Sequence, residues 1–290
     1  GDARDAVIAK HGAMKDWDVS AVTNMANLFN GKGDGDGNDI FKTCVLYVED
    51  WDVSSVTDMS YMFRHAESFN GDLTNFDTSS VTDMSGMFRE AHAFNGDVTN
   101  FDTSSVTDMS GMFLSAYTFN GDVTNFDTSS VTDMSGMFSS ALAFNGDVTN
   151  FDTSSVTDMN YMFDYTYAFN GDVTNFDTSS VTDMSRMFSN TRAFNGDVTN
   201  FDTSSVTDMH AMFYDAEAFN GNGLSNWVTY LVRDMCSMFR KAEAFNADIS
   251  QWDVSDCTDF EYFLEDATSF DNNLCDAGAS PSWQSSGYCN

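Results

Sequence analysis

Carboxylates are the groups in this chain best placed to do chemistry, and one of them returns at a fixed interval. An Asp follows an aromatic residue at Asp18, Asp52, Asp77, Asp102, Asp127, Asp152, Asp177, Asp202 and Asp253, and Val228 stands in the tenth such place. Through the middle of the chain the interval is 25 residues. Stacked carboxylates are the chemistry of a surface that binds cations, cationic partners or polyhydroxylated ligands. Asp77, Asp102, Asp127, Asp152, Asp177 and Asp202 are therefore the candidate ligand-binding residues. Two such charges ~5 Å apart in water repel by roughly 0.8 kcal/mol, which salt or divalent cations reduce. The competing reading is a solvated polar face that keeps the molecule soluble and blunts self-association.

A second candidate is a calcium loop. Residues 30–39 read NGKGDGDGND, in which Asp34, Asp36 and Asn38 alternate as the first three ligands of such a loop do, followed by Asp39. Asp39 stands where Gly is usual, and Val45 replaces the Glu of the twelfth place. Calcium is the one cofactor this implies, and a flexible acidic loop is the alternative.

Catalysis is not expected. His11, His65, His92 and His210 form no spaced pair with Asp, Glu or Cys, and pairs such as Ser104-Ser105 lack a base in their own unit. Identical carboxylates share one environment, whereas acid–base catalysis needs environments that push pKa values apart. No glycine-rich phosphate loop occurs.

The elements that must position these groups form a repeat. Aligned on the aromatic before Asp, the units begin at Trp17, Trp51, Phe76, Phe101, Phe126, Phe151, Phe176, Phe201, Trp227 and Trp252; the first interval is 34 residues and that before Trp227 is 26. A period of this length predicts a solenoid. In the unit at Phe101, the residues Val98, Phe101, Thr103, Val106 and Met109 approach the leucine-rich spacing. Phe101-Asp102-Thr103 is predicted as a short strand with Phe101 and Thr103 inward. Thr107-Asp108 is predicted as a helix cap, so that Asp83, Asp108 and Asp133 cap rather than bind. Met109, Met112, Phe113 and Ala116 lie at helical spacing, and Asn120-Gly121-Asp122 turns back. Asp97 and its equivalents lie in that turn. The expected fold is an α/β solenoid, a leucine-rich-repeat-like right-handed coil with a parallel sheet of about 45 Å on its concave face and short helices on its convex face. The methionines are expected in the core. Units vary mainly at Arg64-His65, Arg89-Glu90, Leu114-Ser115, Asp164-Tyr165, Ser189-Asn190, Tyr214-Asp215 and Arg240-Lys241, the outer positions of the expected helices.

Composition narrows the partners. Lys plus Arg is 12 against 45 Asp plus Glu, a net charge of −33, which argues against nucleic acid and anionic lipid. The chain is nevertheless 42% apolar with 27 Phe, enough to bury a core. No apolar run approaches 18 residues, so no membrane span is expected. Gly1–Lys10 shows no signal-peptide pattern and no Asn-x-Ser/Thr sequon occurs. Of Cys44, Cys236, Cys257, Cys275 and Cys289, the last two bracket the tail. No CxxC pair exists, and a disulfide-stapled C-terminal cap is expected there.

The motif NGDVTNFDTSSVTDMSGMF, with WDVSSVTDM at Trp51 and WDVSDCTDF at Trp252, resembles the BspA-like leucine-rich-repeat surface proteins, and among them the Met/Phe-rich 25-residue subtype of unknown function. The resemblance runs from about Asp16 to Asp271. This chain departs from it in having Phe-Asp-Thr where Trp-Asp-Val is commoner, and in the uniformity of its units. The resemblance implies an extracellular or cell-surface location, a role in adhesion or interaction, and no catalytic residues. The expected organisation is an N-terminal cap over 1–15, a ten-unit solenoid over 16–266 and a Cys-bearing cap over 267–290. The expected function is a binding or adhesion scaffold for glycan, matrix or a surface protein. The alternative is a structural subunit that stacks on copies of itself, with or without calcium.

Overall fold

The structure is a computed structural model that describes residue 10 and residues 12–31, 41–43, 46–276, 278–286 and 288–289. The chain forms a solenoid-like repeat, each unit making one coil and each coil lying against the next. One parallel bridge joins every neighbouring pair, in a series from Asn24–Asp58 through Asp83–Asp108 and Asp108–Asp133 to Asp234–Asp259.

The coils are built from turns, which corrects the expected strand and helix. In the unit at Phe101 six consecutive segments close by a bond from an N–H to the carbonyl three residues back: Val98–Phe101, Thr103–Val106, Met109–Met112, Gly111–Leu114, Phe113–Ala116 and Ala116–Phe119. Phe101 and Thr103 are buried while Asp102 and Ser104 are exposed, so the inside–outside alternation holds. The segment is still no paired strand, because the chain turns at once through Ser104 and Ser105, closed by the Thr103–Val106 bond. The parallel bridge instead passes through Asp108, where a helix cap was expected.

No helix follows Asp108 because two backbone positions in the next turn are left-handed. Gly111 has φ 56° and Ser115 φ 58°, and both recur in every coil from Trp51 to Trp252. A helix requires right-handed residues throughout, and the left-handed conformation costs a non-glycine residue about 1 kcal/mol. The consequence is an alternation. The amides of Met109, Gly111, Phe113 and Ser115 point along the solenoid and bond the carbonyls of Asp133, Ser135, Met137 and Ser139 at 2.7–3.1 Å, while Met112, Leu114 and Ala116 bond within their own coil. The same residues that matched helical spacing therefore lie in a chain of turns whose every second amide belongs to the neighbour.

Side chains extend this registration. Thr132 donates both its N–H, at 2.9 Å, and its hydroxyl, at 3.2 Å, to the carbonyl of Thr107. The amide oxygen of Asn95 accepts the N–H of Asn120, and the series continues through Asn145, Asn170 and Asn195. Buried Thr103 donates its hydroxyl to the carbonyl of Asp127. Each bond satisfies a backbone group that a chain of turns would otherwise leave open.

Inside, two columns of phenylalanine run the length of the stack. Phe88, Phe113, Phe138 and Phe163 are spaced 5.6–5.7 Å apart, and Phe94, Phe119, Phe144 and Phe169 5.9–6.0 Å apart. Within one coil the two rings stack at 3.8 Å for Phe113 and Phe119. Met109, Met112 and their equivalents fill the rest, fully buried. One continuous apolar core reaches from Val19 to Trp283.

The extra residue before Trp227 is absorbed in a short 3₁₀ turn, Leu224–Asn226. Its preceding Gly223 has φ 98° and approaches the backbone of Val198 and Thr199 so closely that a Cβ would lie 2.3 Å from the Thr199 nitrogen. At the C-terminal end the helix α1, Pro281–Ser285, lays the buried Trp283 on Phe260 and Phe263. Ser282 supplies a hydroxyl that accepts from the Val254 N–H and donates to the Trp252 carbonyl. Cys275 and Cys289 form a disulfide, with a sequence separation of 14. Closing a loop of this length contributes about 3 kcal/mol. The double variant Cys275→Ser, Cys289→Ser is expected to lose stability of that order in chemical denaturation; an unchanged midpoint would show that Trp283 alone holds the cap.

Candidate binding surfaces

Three rows of Asp line the outside of the stack, and each is first of all part of a turn. The candidate ligand residues form one row. Asp77, Asp102, Asp127, Asp152 and Asp177 accept both the N–H and the hydroxyl of the Ser two residues on, at 3.0–3.1 Å and 2.6 Å; for Asp202 the N–H of Ser204 bonds at 2.9 Å. These hydroxyl and amide bonds hold Asp102, Asp152 and Asp202 below the usual carboxylate range. A second row, Asp97, Asp122, Asp147 and Asp172, grips Thr99, Thr124, Thr149 and Thr174 in the same way. The repeated Asp-x-Ser/Thr spacing was the sequence signal for both.

The third row is the bridged one, Asp83 to Asp234. Its carboxylates are half-buried and accept the N–H two residues on, as Asp108 does from Ser110 at 2.8 Å. Like charges meet in this row at Asp158 and Asp208. Burial pushes Asp158 up, the Asn160 amide pulls it back, and the carboxylates of Asp133 and Asp183 raise it further. Asp208 behaves likewise between Asp183 and Asp234. In these two residues like charges add to a rise that burial causes first.

Asp34, Asp36, Asn38 and Asp39, the candidate calcium ligands, lie outside the described residues, as does Cys44. Among the described residues no group of three or more His, Cys, Asp or Glu is arranged to hold a metal ion. Cys257 is buried, and burial pushes its thiol up to about 12. His11 lies outside the described residues, and the other three histidines each meet a carboxylate that sequence spacing did not pair with them: His65 meets Glu90 at 2.6 Å, His92 meets Glu67 and His210 meets Asp234.

A different surface gathers the side chains that vary. They project from the chain of turns, at and beside the left-handed positions, and apart from Arg64 on Tyr61 and Arg89 beside Glu90 the contacts run across coils. Arg64 lies over Tyr61, Arg186 over Tyr161, Arg192 over Tyr167, and Arg240 over both Tyr214 and Tyr262, at 4.6–5.9 Å. His92 stacks on Tyr117 at 4.3 Å. Arg192 pairs with Asp215 at 2.9 Å and Arg240 with Glu265 at 2.6 Å. This ridge holds Arg64, Arg89, Arg186, Arg192, Arg240 and Lys241, six of the twelve basic residues, and seven of the ten tyrosines. Arg89, Arg192 and Arg240 meet carboxylates on the ridge, whereas the Asp rows carry most of the net charge.

Residues 35–147, 117–227 and 190–286 match the family described as Mycoplasma protein of unknown function, DUF285. The chain belongs to that family. No curated protein matches it. Among solved structures, an internalin from Listeria monocytogenes is similar at 8% identity and a TM-score of 0.22, over 76% of this chain and 78% of the internalin. That likeness is too slight to carry any argument about DUF285 function. No described helix is long and apolar enough to cross a membrane.

One residue on the ridge is electrostatically out of place. Asp164 is 6% exposed, its Oδ1 has no hydrogen-bond partner, and burial pushes its carboxyl up to about 6 against the pull of Ser189, Arg186 and Asn190. A folded pKa above the unfolded value of about 3.9 means that ionised Asp164 opposes folding at neutral pH, and that the penalty fades as pH falls from 6 toward 4. The adjacent coils carry Ser139 and Ser189 at this place. Asp164→Ser is therefore expected to raise stability at pH 7 by on the order of 2 kcal/mol and to remove the gain in stability between pH 6 and 4. Parallel pH–stability curves for the two proteins would contradict it.

Proposed function

We propose that this DUF285 chain is a non-catalytic binding scaffold that engages a glycan-bearing or protein surface through its tyrosine–arginine ridge, in an extracellular or cell-surface setting. The observation that carries this reading is the segregation of residue types. Tyr and Arg dominate binding hot spots, because they combine apolar area with directional polar groups. In this chain they are concentrated on the one surface where successive coils differ. A row of identical groups offers the same contact everywhere, while a variable ridge on a rigid stack presents a particular pattern. The Asp rows are bound up in their own turns, and their role in this reading is to keep the solenoid soluble and to repel further copies.

The extracellular setting is supported by the Cys275–Cys289 disulfide, which persists in oxidising compartments. It is supported also by the resemblance of the repeat motif to BspA-like surface proteins. Stacking of copies end to end is the less favoured reading, since at the C-terminal end Trp283 and its helix already cover the last coil.

The reading is tested by binding of labelled protein to cultured epithelial cells and to immobilised basement-membrane proteins. A ridge variant, Tyr165→Ala, Tyr167→Ala, Arg192→Ala and Tyr214→Ala together, is expected to bind at least tenfold more weakly. A row variant, Asp102→Asn, Asp127→Asn and Asp152→Asn together, is expected to bind as the parent does. Loss in the row variant with retention in the ridge variant, or no binding by the parent protein, would refute it.

A further inference from the structure

The ridge is interrupted once. At the first left-handed position of each coil most units carry a side chain, among them Tyr61, Tyr161, Arg186 and Tyr262, but three successive coils carry Gly86, Gly111 and Gly136. The gap is a shallow slot of about 220 Å³ between Tyr61 and Tyr161. These tyrosines are four coils apart, roughly 19 Å at about 4.8 Å per coil. The ring of Tyr61 leans over Gly86, where any Cβ would strike it at 2.4 Å. The side chain of Leu114 lies beside Gly111 and Gly136, at 3.6 Å from the place a Cβ would take on each. Tyr161 closes the far end and is 40% exposed.

The polar lining is also released. The hydroxyls of Ser60 and Ser85, which do not line the slot, donate to Asp58 and Asp83 at 2.7 Å. Ser110 and Ser135, which line the slot, bond their Asp only through the backbone N–H. Their hydroxyls border the slot together with the Asn160 amide, which reaches Asp158 and Asp183, and Arg89, which meets Glu90.

We propose that the Tyr161 end of this slot is a binding site for a neutral hexose unit of a glycan, stacked on Tyr161 beside Leu114 and hydrogen-bonded by the Ser110 and Ser135 hydroxyls. The proposal rests on the ridge being the binding face. Three features select this ligand class. The slot holds one ring-sized group and mixes flat apolar surface with hydroxyl partners, as a pyranose requires. An apolar side chain placed there would leave the Ser110 and Ser135 hydroxyls without partners. The backbone offers an extended peptide no edge, because the amides of Gly86, Gly111 and Gly136 bond the next coil and their carbonyls accept from Arg89, Leu114 and Ser139. Finally, a net charge of −33 disfavours an anionic ligand while leaving a neutral one unaffected.

The test is an array of neutral hexose oligosaccharides, with calorimetry on those bound. The parent protein is expected to bind at least one of them. Gly136→Tyr fills the slot with the residue that three other coils carry at this position, so the fold accepts it, and is expected to weaken binding at least tenfold with an unchanged thermal midpoint. Tyr161→Ala is expected to weaken it similarly, and Tyr230→Ala, an exposed tyrosine off the ridge, to leave it unchanged. An array without a hit overturns the proposal, as does undiminished binding by Gly136→Tyr. If Gly136→Tyr loses cell binding while no neutral glycan is bound, the slot takes a protein side chain and the proposal fails. An array without a hit, beside loss of cell binding in the Tyr165, Tyr167, Arg192 and Tyr214 variant, overturns the slot and leaves the ridge reading standing.

Discussion

Every second amide between Met109 and Ser115 is committed to the neighbouring coil, and the rest of the molecule depends on that commitment. It fixes the register of the coils, since a slip by one residue would turn each amide away from its acceptor. It aligns the two phenylalanine columns, whose rings meet only if every coil starts at the same place. It is made possible by left-handed backbone at two positions per coil, occupied by Gly in some units but by Tyr, Arg, Ser, Asp and Lys in others. The strain at those positions is offset by the core beneath them and by the inter-coil bonds on either side. Stability in such a stack is a sum over coils and their interfaces rather than the property of a single centre.

The same geometry divides the surface. Where the chain turns at Asp97 and Asp102, carboxylates close the turns by accepting N–H and hydroxyl groups two residues away, so charge accumulates there as a by-product of turn formation. Where the chain runs as linked turns past Gly111 and Ser115, side chains point outward from strained backbone and are free to differ between coils. A solenoid with an acidic, uniform exterior and one aromatic, variable ridge follows from where the turns fall. Salt links on the ridge cross from coil to coil, as Arg192 does to Asp215, so the ridge is held as a surface and not as separate side chains.

Much of this was legible in the sequence. The period gave the solenoid, the Met and Phe spacing gave the core, and the alternation about Phe101 gave the buried and exposed residues. The helix expected over Met109–Ala116 was wrong because apolar spacing reports which side chains face inward and says nothing of the sign of φ. A chain of alternating turns buries Met109, Met112, Phe113 and Ala116 just as a helix would. The signal that separates the two was present in Gly86, Gly111 and Gly136 with Asn27, since Gly and Asn tolerate left-handed backbone. Tyr and Arg at the same position in other coils obscured it. The Asp row after the aromatic is visible in the sequence, whereas Thr107-Asp108 has the spacing of a helix cap and gives no sign that Asp108 carries the bridge between coils. Contacts such as Arg240 between Tyr214 and Tyr262 join residues 22 to 26 apart, and only the stacking of coils brings them together.

The most direct test of the turn-built coil is the detection of couplings across hydrogen bonds by NMR in the deuterated protein, with the Phe138 amide as the reporter. In the coil described here that N–H couples to the carbonyl carbon of Met162, 24 residues ahead in the next coil, and the same displacement is found for Gly136 and Asn160. A coupling from Phe138 to Met134 within its own coil, accompanied by a helical far-ultraviolet spectrum, would contradict it and restore the strand-and-helix repeat.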